Sequence, residues 1–223
     1  MYRRTITHGA VGTDGAGYGT TPDAPFDSID YAIGKCTASQ GDVILVCPGH
    51  AETLTTLITC DVAGVSIIGL GEGTARPAIT VNANIDGISI TQNNVTIENL
   101  RFVTPSAAMT SDINIAAANA RIARCRFEAG VNLIDCITIT ATGELPIFED
   151  NEYIVAANGP DDWLLFEGVV DRPIIRRNYI VASDGTNPLD DGVINWGGQA
   201  ITNPIVVQNT FADGGQATTV SAD

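Results

Sequence analysis

The sequence predicts an all-β fold, a right-handed parallel β-helix of about seven coils with a capping helix at its N-terminal end. Three observations support this. Short runs rich in Ile, Val and Thr recur at nearly constant intervals, and helical periodicity is confined to one stretch. Hydrophobic residues make up 44% of the chain but aromatic residues only 6%, which favours short stacked strands over a core of large rings.

The first part of the chain predicts an arm followed by one helix. Residues 1–25 are rich in Gly, Thr, Asp and Pro, which favours an extended arm or loop. The β-helix domain then covers 26–223 and opens with a helix over about 27–39, where Asp27 can serve as the N-cap. Its apolar residues follow the i, i+3, i+4, i+7 spacing of a one-faced helix: Ile29, Ala32, Ile33 and Cys36.

Two series of apolar residues predict how the coils stack. The first consists of three successive pairs: Val43 and Leu45, Val65 and Ile67, Ile88 and Ile90. The second aligns large apolar residues at steps of 25, 26, 27 and 31: Phe102, Phe127, Tyr153, Ile180 and Phe211. Residues two apart share a strand face, so the position two residues earlier forms a second ladder. Its last three members are Asn151, Asn178 and Asn209, whose amides we expect to hydrogen-bond along the axis.

Proline positions and turn lengths favour the same architecture. Pro146, Pro173 and Pro204 each open a strand of the second series, where no backbone N–H is needed. The extra residues of the longer steps fall in polar turns at 158–162 and 183–192, which we expect to project as loops. A β-sandwich or barrel is the rival architecture, but such folds prefer tight hairpins and lack a fixed repeat of about 25 residues.

The charge balance restricts the partners. The chain has 11 Lys and Arg against 26 Asp and Glu, a net charge of −15. Nucleic acid is therefore not expected as a partner, and an anionic polysaccharide would need a local basic patch or bridging cations. No apolar run has the length of a signal peptide or membrane span, so we expect a soluble protein made in a cytosol, without membrane insertion.

The cysteines predict buried thiols. They are odd in number, lack Cys-x-x-Cys spacing and lie within apolar segments: Cys36, Cys47, Cys60, Cys125 and Cys136. This arrangement favours reduced core thiols over disulfides or a zinc site.

Four motifs carry a family resemblance. They are GTTPDAPFDSIDYAI (Gly19–Ile33), GDVILVCPGHAETL (Gly41–Leu54), GVSIIGLG (Gly64–Gly71) and NVTIENLRF (Asn94–Phe102). Together they resemble pectate-lyase-like β-helix proteins encoded by tailed phages and marine viruses, over about residues 12–105. The resemblance implies a virion component, in head or tail, with homotrimeric assembly common among such proteins.

That superfamily also contains polysaccharide hydrolases, and a resemblance to them directs attention to paired aspartates. Asp190 and Asp191 precede Gly192 as in the paired-aspartate motif of β-helix enzymes that cleave polygalacturonate. The Gly-His-Gly and Arg-x-Lys partners of those enzymes are missing, and a solvated turn is the alternative. His50 follows a strand end, where we expect a structural role and a turn hydrogen bond with Glu52.

Lyases of this fold suggest Arg176 as a second catalytic candidate. The string Asp-Arg-Pro-Ile-Ile-Arg, which ends at Arg176, resembles the lyase motif Arg-x-Pro-x-x-Arg but has Asp in place of the first Arg. The family's Trp-x-Asp-His is absent. The alternative is that Arg176 and Arg177 neutralise carboxylates on a neighbouring coil, Glu149 and Asp150.

The polar turns contain candidate ligands for a cation and a glycan. Asp161, Asp162 and Asp184 are candidate calcium ligands, because hard cations bind several oxygen atoms at once. Trp163 and Trp196 are candidates for stacking on a host surface glycan, with packing under the long turns as the alternative.

The sequence therefore leaves three functions open. The first is a non-enzymatic structural virion protein of a tailed phage, which decorates the capsid or forms part of a tail fibre or spike and contacts other virion proteins. The second is a tailspike-type polysaccharide depolymerase, a lyase or glycoside hydrolase, which would need a carboxylate pair in a groove beside Trp163 or Trp196. The third is a carbohydrate-binding module without chemistry, which would show exposed aromatic side chains in a row.

Overall fold

The computed structural model describes residues 3–6, 12–104, 109–129, 133–140, 143–155, 159–182, 189 and 192–213. All pairings between the named strands are parallel. The fold is a parallel β-helix, as the sequence predicts.

The strands are short and regularly spaced. In chain order they are β1 (Arg3–Ile6), β2 (Val43–Val46), β3 (Ala51–Leu54), β4 (Ile58–Cys60), β5 (Ser66–Gly69), β6 (Ala78–Val81), β7 (Ile88–Ile90), β8 (Thr96–Glu98), β9 (Arg101–Thr104), β10 (Met109–Ile115), β11 (Arg121–Ala123), β12 (Arg126–Ala129), β13 (Leu133–Ile139), β14 (Gly143–Glu144), β15 (Ile147–Glu149), β16 (Glu152–Val155), β17 (Asp162–Phe166), β18 (Val170–Asp171), β19 (Ile174–Arg176), β20 (Tyr179–Ala182), β21 (Gly192–Asn195), β22 (Ile201–Thr202), β23 (Ile205–Val207) and β24 (Thr210–Asp213). The helices are α1 (Ile29–Ile33) and a 3-10 turn, Gly73–Ala75.

Each coil contributes one strand to each of three sheets. Sheet 1 has the order β1-β2-β5-β8-β11-β15-β19-β23, sheet 2 is β3-β6-β9-β12-β16-β20-β24, and sheet 3 is β4-β7-β10-β13-β17-β21. A short sheet 4, β14-β18-β22, precedes sheet 1 in the later coils. The described residues form six complete coils and the sheet 1 and sheet 2 strands of a seventh, against about seven predicted.

The predicted apolar ladder forms the centre of the core. All four steps of the second series match the strand register of sheet 2. Phe102 and Phe127 stack with ring centroids 5.2 Å apart, and both are fully buried, as are Tyr153 and Ile180. Phe211, in the last described coil, is partly buried. The interior is therefore filled by stacked side chains from successive coils.

The predicted asparagine ladder is also confirmed. Asn151 Nδ2 donates to Asn178 Oδ1 at 3.0 Å, and Asn178 Nδ2 donates to Asn209 Oδ1 at 2.9 Å. Each Nδ2 also donates to a backbone carbonyl, that of Asn178 to Phe148 O at 3.0 Å. Since Asn178 Oδ1 accepts from the backbone N–H of Asn151 as well, one amide joins three levels of the stack.

The first predicted series is wrong in register and in sheet. Val43 pairs with Ser66, one residue away from the predicted partner Val65, and the inward residue of β2 is Ile44, opposite Ile67. A shift of one residue reverses the faces of a strand, so Val43 and Leu45 face outward and are only partly buried. The third predicted pair, at residues 88 and 90, belongs to sheet 3 and pairs with β4.

Two columns of left-handed residues bend every later coil at both ends of its sheet 1 strand. The column before the strand has φ between 50° and 62°: Asn94, Asn119, Leu145, Arg172 and Asn203. The column after the strand has φ between 52° and 57°: Asn99, Arg124, Asp150, Arg177 and Gln208. Most members are neither Gly nor Asn, so tertiary structure imposes the conformation. Axial hydrogen bonds hold it, as from Arg124 N–H to Glu149 O at 3.0 Å.

The capping helix is shorter than predicted. α1 has five residues, and its N-cap is Ser28, whose side chain accepts from the Tyr31 N–H, in place of Asp27. The helix does not reach residue 39, because the Thr37 N–H donates to Asp42 Oδ2 at 2.8 Å and is thus taken out of the helical pattern. In the described part of the chain no helix has the length and apolar character to cross a bilayer.

Two carboxylates join α1 to the first coil. Glu52 Oε2 accepts the N–H of Ile29 at 3.2 Å, which satisfies a donor that the helix itself leaves unpaired. The same oxygen lies 3.2 Å from His50 Nε2, so the predicted hydrogen bond between His50 and Glu52 is confirmed. On the other side, Asp30 Oδ1 accepts the Thr59 N–H at 3.0 Å.

The predicted N-terminal arm includes a strand. β1 pairs with β2 in parallel and extends sheet 1 by one strand. Residues 12–25 form a compact loop, in which Gly19 N–H donates to Ala24 O at 2.7 Å and Thr13 N–H donates to Pro25 O at 3.1 Å. An unpaired strand edge readily accepts another strand, which is why β2 recruits this segment.

Replacing Asn178 tests the asparagine ladder. Asn178→Ala removes the hydrogen bonds of the Asn178 amide to Asn151, Asn209 and Phe148, and leaves buried partners unsatisfied. We expect the free energy of unfolding to fall by about 2–3 kcal/mol, measured by urea denaturation. Asn82→Ala, at an exposed position, is the control and should change it by less than about 0.5 kcal/mol. Equal effects of the two variants would contradict the ladder's contribution.

Candidate functional site

Four of the site residues predicted from the sequence lie on or next to sheet 3, whereas Arg176 lies in β19 of sheet 1. Asp162 and Trp163 begin β17, Asp161 precedes them, and Trp196 follows β21 on the next coil. Three further predicted residues lie outside the described residues: Asp184, Asp190 and Asp191. The paired-aspartate hypothesis and the Asp184 part of the calcium hypothesis therefore stay predictions.

The two tryptophans differ in their access to solvent. Trp163 is 0% exposed and packs edge-on against Phe148, with centroids 6.5 Å apart. Its ring is therefore closed to a sugar in this conformation, and it fits the alternative of packing under the turns. Trp196 is partly exposed and stacks on Phe166 at 4.9 Å, so glycan stacking at Trp196 stays a prediction.

A column of acidic residues runs along sheet 3 beside Trp163. Ser111 lies opposite Asp135, and Asp135 lies opposite Asp162. At one end Asp86 Oδ1 accepts the Ser111 N–H at 3.2 Å, and at the other Asp162 Oδ2 accepts from Asn195 Nδ2 at 3.0 Å. Burial, followed by the charge of Asp162, raises the pKa of Asp135 to about 7. Sequence reasoning missed Asp135, which sits in an otherwise apolar strand.

Another buried carboxylate, that of Asp112, lies inside the coil stack. Asp112 is fully buried, and its Oδ1 accepts from Thr104 Oγ1 at 2.6 Å. No hydrogen-bond partner for Asp112 Oδ2 or for the buried hydroxyl of Tyr153 occurs among the described residues. Burial raises the pKa of Asp112 to about 7. The pKa of Tyr153 is raised by burial first, and then by Cys136 and Asp112, so these polar groups are neighbours.

The acidic column has one property of an acid–base site and lacks another. Asp135, with its pKa raised, stands beside a second carboxylate, Asp162, and such pairs can divide acid and base roles. Both residues are only 2% exposed, so a polysaccharide has no access to them in this conformation. Within the described ranges, no three side chains among His, Cys, Asp and Glu are arranged to bind a metal ion.

Arg176, the other catalytic candidate, is engaged in a network of ion pairs. Its Nε donates to Glu149 Oε2 at 2.7 Å. Glu149 also accepts from Arg121 at 2.7 Å and from Arg177 at 3.1 Å, and Arg177 forms two 2.8 Å hydrogen bonds with Asp150. The predicted neutralisation of Glu149 and Asp150 by Arg176 and Arg177 is confirmed. A guanidinium paired in this way is a poor base.

The pKa values follow from this network. Burial alone would raise the pKa of Glu149, but hydrogen bonds from Arg176 and Arg121 outweigh it and lower the pKa. Two hydrogen bonds from Arg177 lower the pKa of Asp150. Arg121 also donates to Glu98 on the preceding coil at 2.6 Å, so the charges alternate along the axis. The network stabilises the coil stack at neutral pH.

Three cysteines lie in the core as predicted. Cys60, Cys125 and Cys136 are buried and form no disulfide. Burial raises the pKa of each, that of Cys125 to about 12, which keeps them protonated and unreactive at neutral pH.

No family model, curated protein or solved structure matches this chain. The parallel β-helix is established by the strand pairing, and the resemblance to β-helix proteins of phages and marine viruses stays a prediction from the sequence motifs.

Asp112 is expected to make stability depend on pH. Its folded-state pKa of about 7 lies above the ordinary value of 3.8, so between these values the folded state holds a proton that the unfolded state has lost. The stability contributed by this proton is complete below pH 3.8 and is lost as the pH rises through 7. Asp112→Asn avoids this loss, because the amide stays neutral at every pH. We expect its free energy of unfolding to exceed that of the wild type by about 1–3 kcal/mol at pH 8, but by much less at pH 4.5.

The measurement is urea denaturation of both proteins at pH 4.5, 6 and 8. Asp23→Asn, at an exposed position, is the control and should follow the wild type at every pH. A constant difference between Asp112→Asn and the wild type across the three pH values would refute the assignment.

Glu149→Gln is expected to weaken the fold in the opposite pH range. The change leaves three guanidinium groups around a neutral amide, at a cost of about 2 kcal/mol at pH 7. Because the folded-state pKa of Glu149 is depressed, this contribution is present above its ordinary value of 4.5 and is lost as the pH falls below that value. Glu144→Gln, whose side chain is 65% exposed, is the control. Thermal unfolding that is equal for both variants at pH 7 would count against the network.

Proposed function

We propose that this chain is a non-enzymatic structural protein of a tailed-phage virion, which decorates the capsid or forms part of a tail fibre or spike and assembles as a homotrimer. The virion assignment is supported by the motifs in about residues 12–105 that resemble β-helix proteins of tailed phages and marine viruses. The structural role is supported by the described polar side chains, which form ion pairs and hydrogen bonds between coils or are buried.

The candidate catalytic side chains that the structure describes serve the scaffold. Arg176 pairs with Glu149, and Asp135 and Asp162 are buried. The apolar ladder, the asparagine ladder and the ion-pair network around Glu149 all connect successive coils. Bending the β-helix would disturb all three at once. Rigidity of this kind suits a component of a particle.

A partly exposed apolar ladder is the observation that carries the assembly proposal. On the outer face of sheet 1, Ile147, Ile174 and Ile205 lie in register on successive coils. Ile147 and Ile174 are partly buried, whereas Ile205 is 47% exposed, and Val207 on the same strand is 44% exposed. Apolar groups grouped on an acidic surface are typical of a protein–protein interface. Three copies joined through this ladder would cover it.

Light scattering on the purified protein tests the assembly. We expect a mass three times the chain's 23.3 kDa. Ile205→Glu should shift the mass towards the monomer without changing the circular dichroism spectrum, because it places a charge in the apolar ladder. Leu57→Glu, at a 38% exposed apolar residue of the first coil, is the control and should remain a trimer. A monomeric wild type at high concentration would refute the assembly proposal.

The acidic column favours a second candidate, polysaccharide depolymerisation. Asp135 and Asp162 supply two neighbouring carboxylates with Trp163 beside them, although all three are closed to solvent. A reducing-end assay on bacterial surface polysaccharides, with and without calcium, tests this. Activity that Asp135→Asn abolishes would support the enzyme and overturn the non-enzymatic proposal.

A further inference from the structure

A cleft on the outer face of sheet 2 gathers three arginines of this acidic chain. Its volume is about 270 Å³, and it is lined by Gly73, Thr74, Arg76, Arg101, Arg126 and Glu128. Arg101 and Arg126 lie directly opposite each other on β9 and β12. Arg76 comes from the turn that leads into β6, the strand before β9 in the sheet. Three successive coils thus each contribute one guanidinium.

The positive charge in the cleft exceeds the negative charge that faces it. Glu128 Oε1 lies 2.7 Å from Arg126 Nε, and its other oxygen lies 4.0 Å from Arg101 NH1. Arg126 also approaches Glu152, at 3.4 Å. Arg76 forms no side-chain hydrogen bond or ion pair within the described residues. Within the described residues, Arg101 therefore has one carboxylate at the limit of ion-pair distance, and Arg76 has none within that distance.

This arrangement is costly without a further anion. Like charges directly opposite on neighbouring strands repel each other, as Arg101 and Arg126 do. The Nε atoms of Arg76 and Arg101 are buried, and no acceptor in the described part of the chain bonds to them. A buried donor without an acceptor is a destabilising feature that a bound ligand can remove.

We propose that this cleft binds a tetrahedral oxyanion, a sulfate or phosphate group, either free or as an ester on a small sugar. Guanidinium groups bind such oxygens through two parallel N–H donors each. A carboxylate has two oxygens and one charge, whereas a sulfate or phosphate group presents three or four oxygens to three guanidiniums. The cleft lies just below the range of small-molecule pockets, which suits one substituted sugar but not a long chain.

The net charge of −15 limits the distance over which the cleft attracts an anion. The field of the whole molecule repels polyanions, so attraction is confined to the few ångströms in which the three guanidiniums dominate. The inference rests on this cleft alone and is independent of whether the chain serves in a virion.

Isothermal titration calorimetry of the full chain, at constant ionic strength, tests the proposal with five probes: sodium sulfate, sodium phosphate, sodium acetate, glucose 6-sulfate and glucose 6-phosphate. We expect saturable binding of the sulfate and phosphate probes and about tenfold weaker binding of acetate. Sugar esters that bind more tightly than the free ions would identify the ester as the ligand, and equal affinities would identify the free ion.

Three variants connect the binding to the cleft. Arg76→Gln should weaken binding about tenfold or more without lowering thermal stability in the absence of anion, since Arg76 forms no ion pair within the described residues and its buried Nε has no acceptor there. Glu128→Gln should tighten binding, because it removes the competing carboxylate. Arg172→Gln, at an exposed ion pair elsewhere, is the control. Acetate binding as tight as phosphate, or equal binding by Arg76→Gln and the wild type, would overturn the proposal.

Discussion

Parallel, in-register hydrogen bonding between coils is the constraint on which the rest of the structure depends. Each strand inside a sheet pairs with the strand one coil before it and the strand one coil after it, about 4.8 Å away. Equivalent residues are therefore forced to lie on top of one another along the axis. Stacking suits apolar and amide groups, which gain contacts or hydrogen bonds, but it opposes like charges. Charged residues at equivalent positions are therefore most stable when they differ in sign or alternate with uncharged residues from one coil to the next.

Carboxylates are accommodated in the stack in two ways. On the outside of sheet 1, Glu98 and Glu149 lie two coils apart with Ala123 between them, and Arg121 reaches both. On sheet 3, Asp135 and Asp162 stack directly, and no arginine is among the groups that shift the pKa of Asp135. The first arrangement stabilises ionised side chains and the second favours the protonated form of Asp135, so acid is expected to weaken the ion pairs of sheet 1 and to relieve repulsion on sheet 3.

The sequence predicts well those features that repeat in residue type. The Phe and Asn ladders were predictable because the steps between equivalent residues are nearly constant and few residue types occupy them. The register of β2 was not predictable. Residues 43–46 are all apolar, so either alternating pair could have faced the interior. Left-handed residues at Leu145 and Gln208 give no local signal, since contacts between coils impose their conformation. Asp112 and Asp135 were missed because a carboxylate in an apolar strand reads as an outward residue.

The two left-handed columns have a consequence for how such a chain can change. Their members are always five positions apart, as at 94 and 99 or 203 and 208, although the whole repeat grows from 25 to 31 residues. The segment between the two columns, which contains the sheet 1 strand, thus has a fixed length, and all extra residues lie elsewhere in the coil. Duplication or deletion of a repeat between equivalent positions of this segment keeps every remaining coil in register. A lineage with this fold can therefore gain coils, or change its loops, without changing sheet 1.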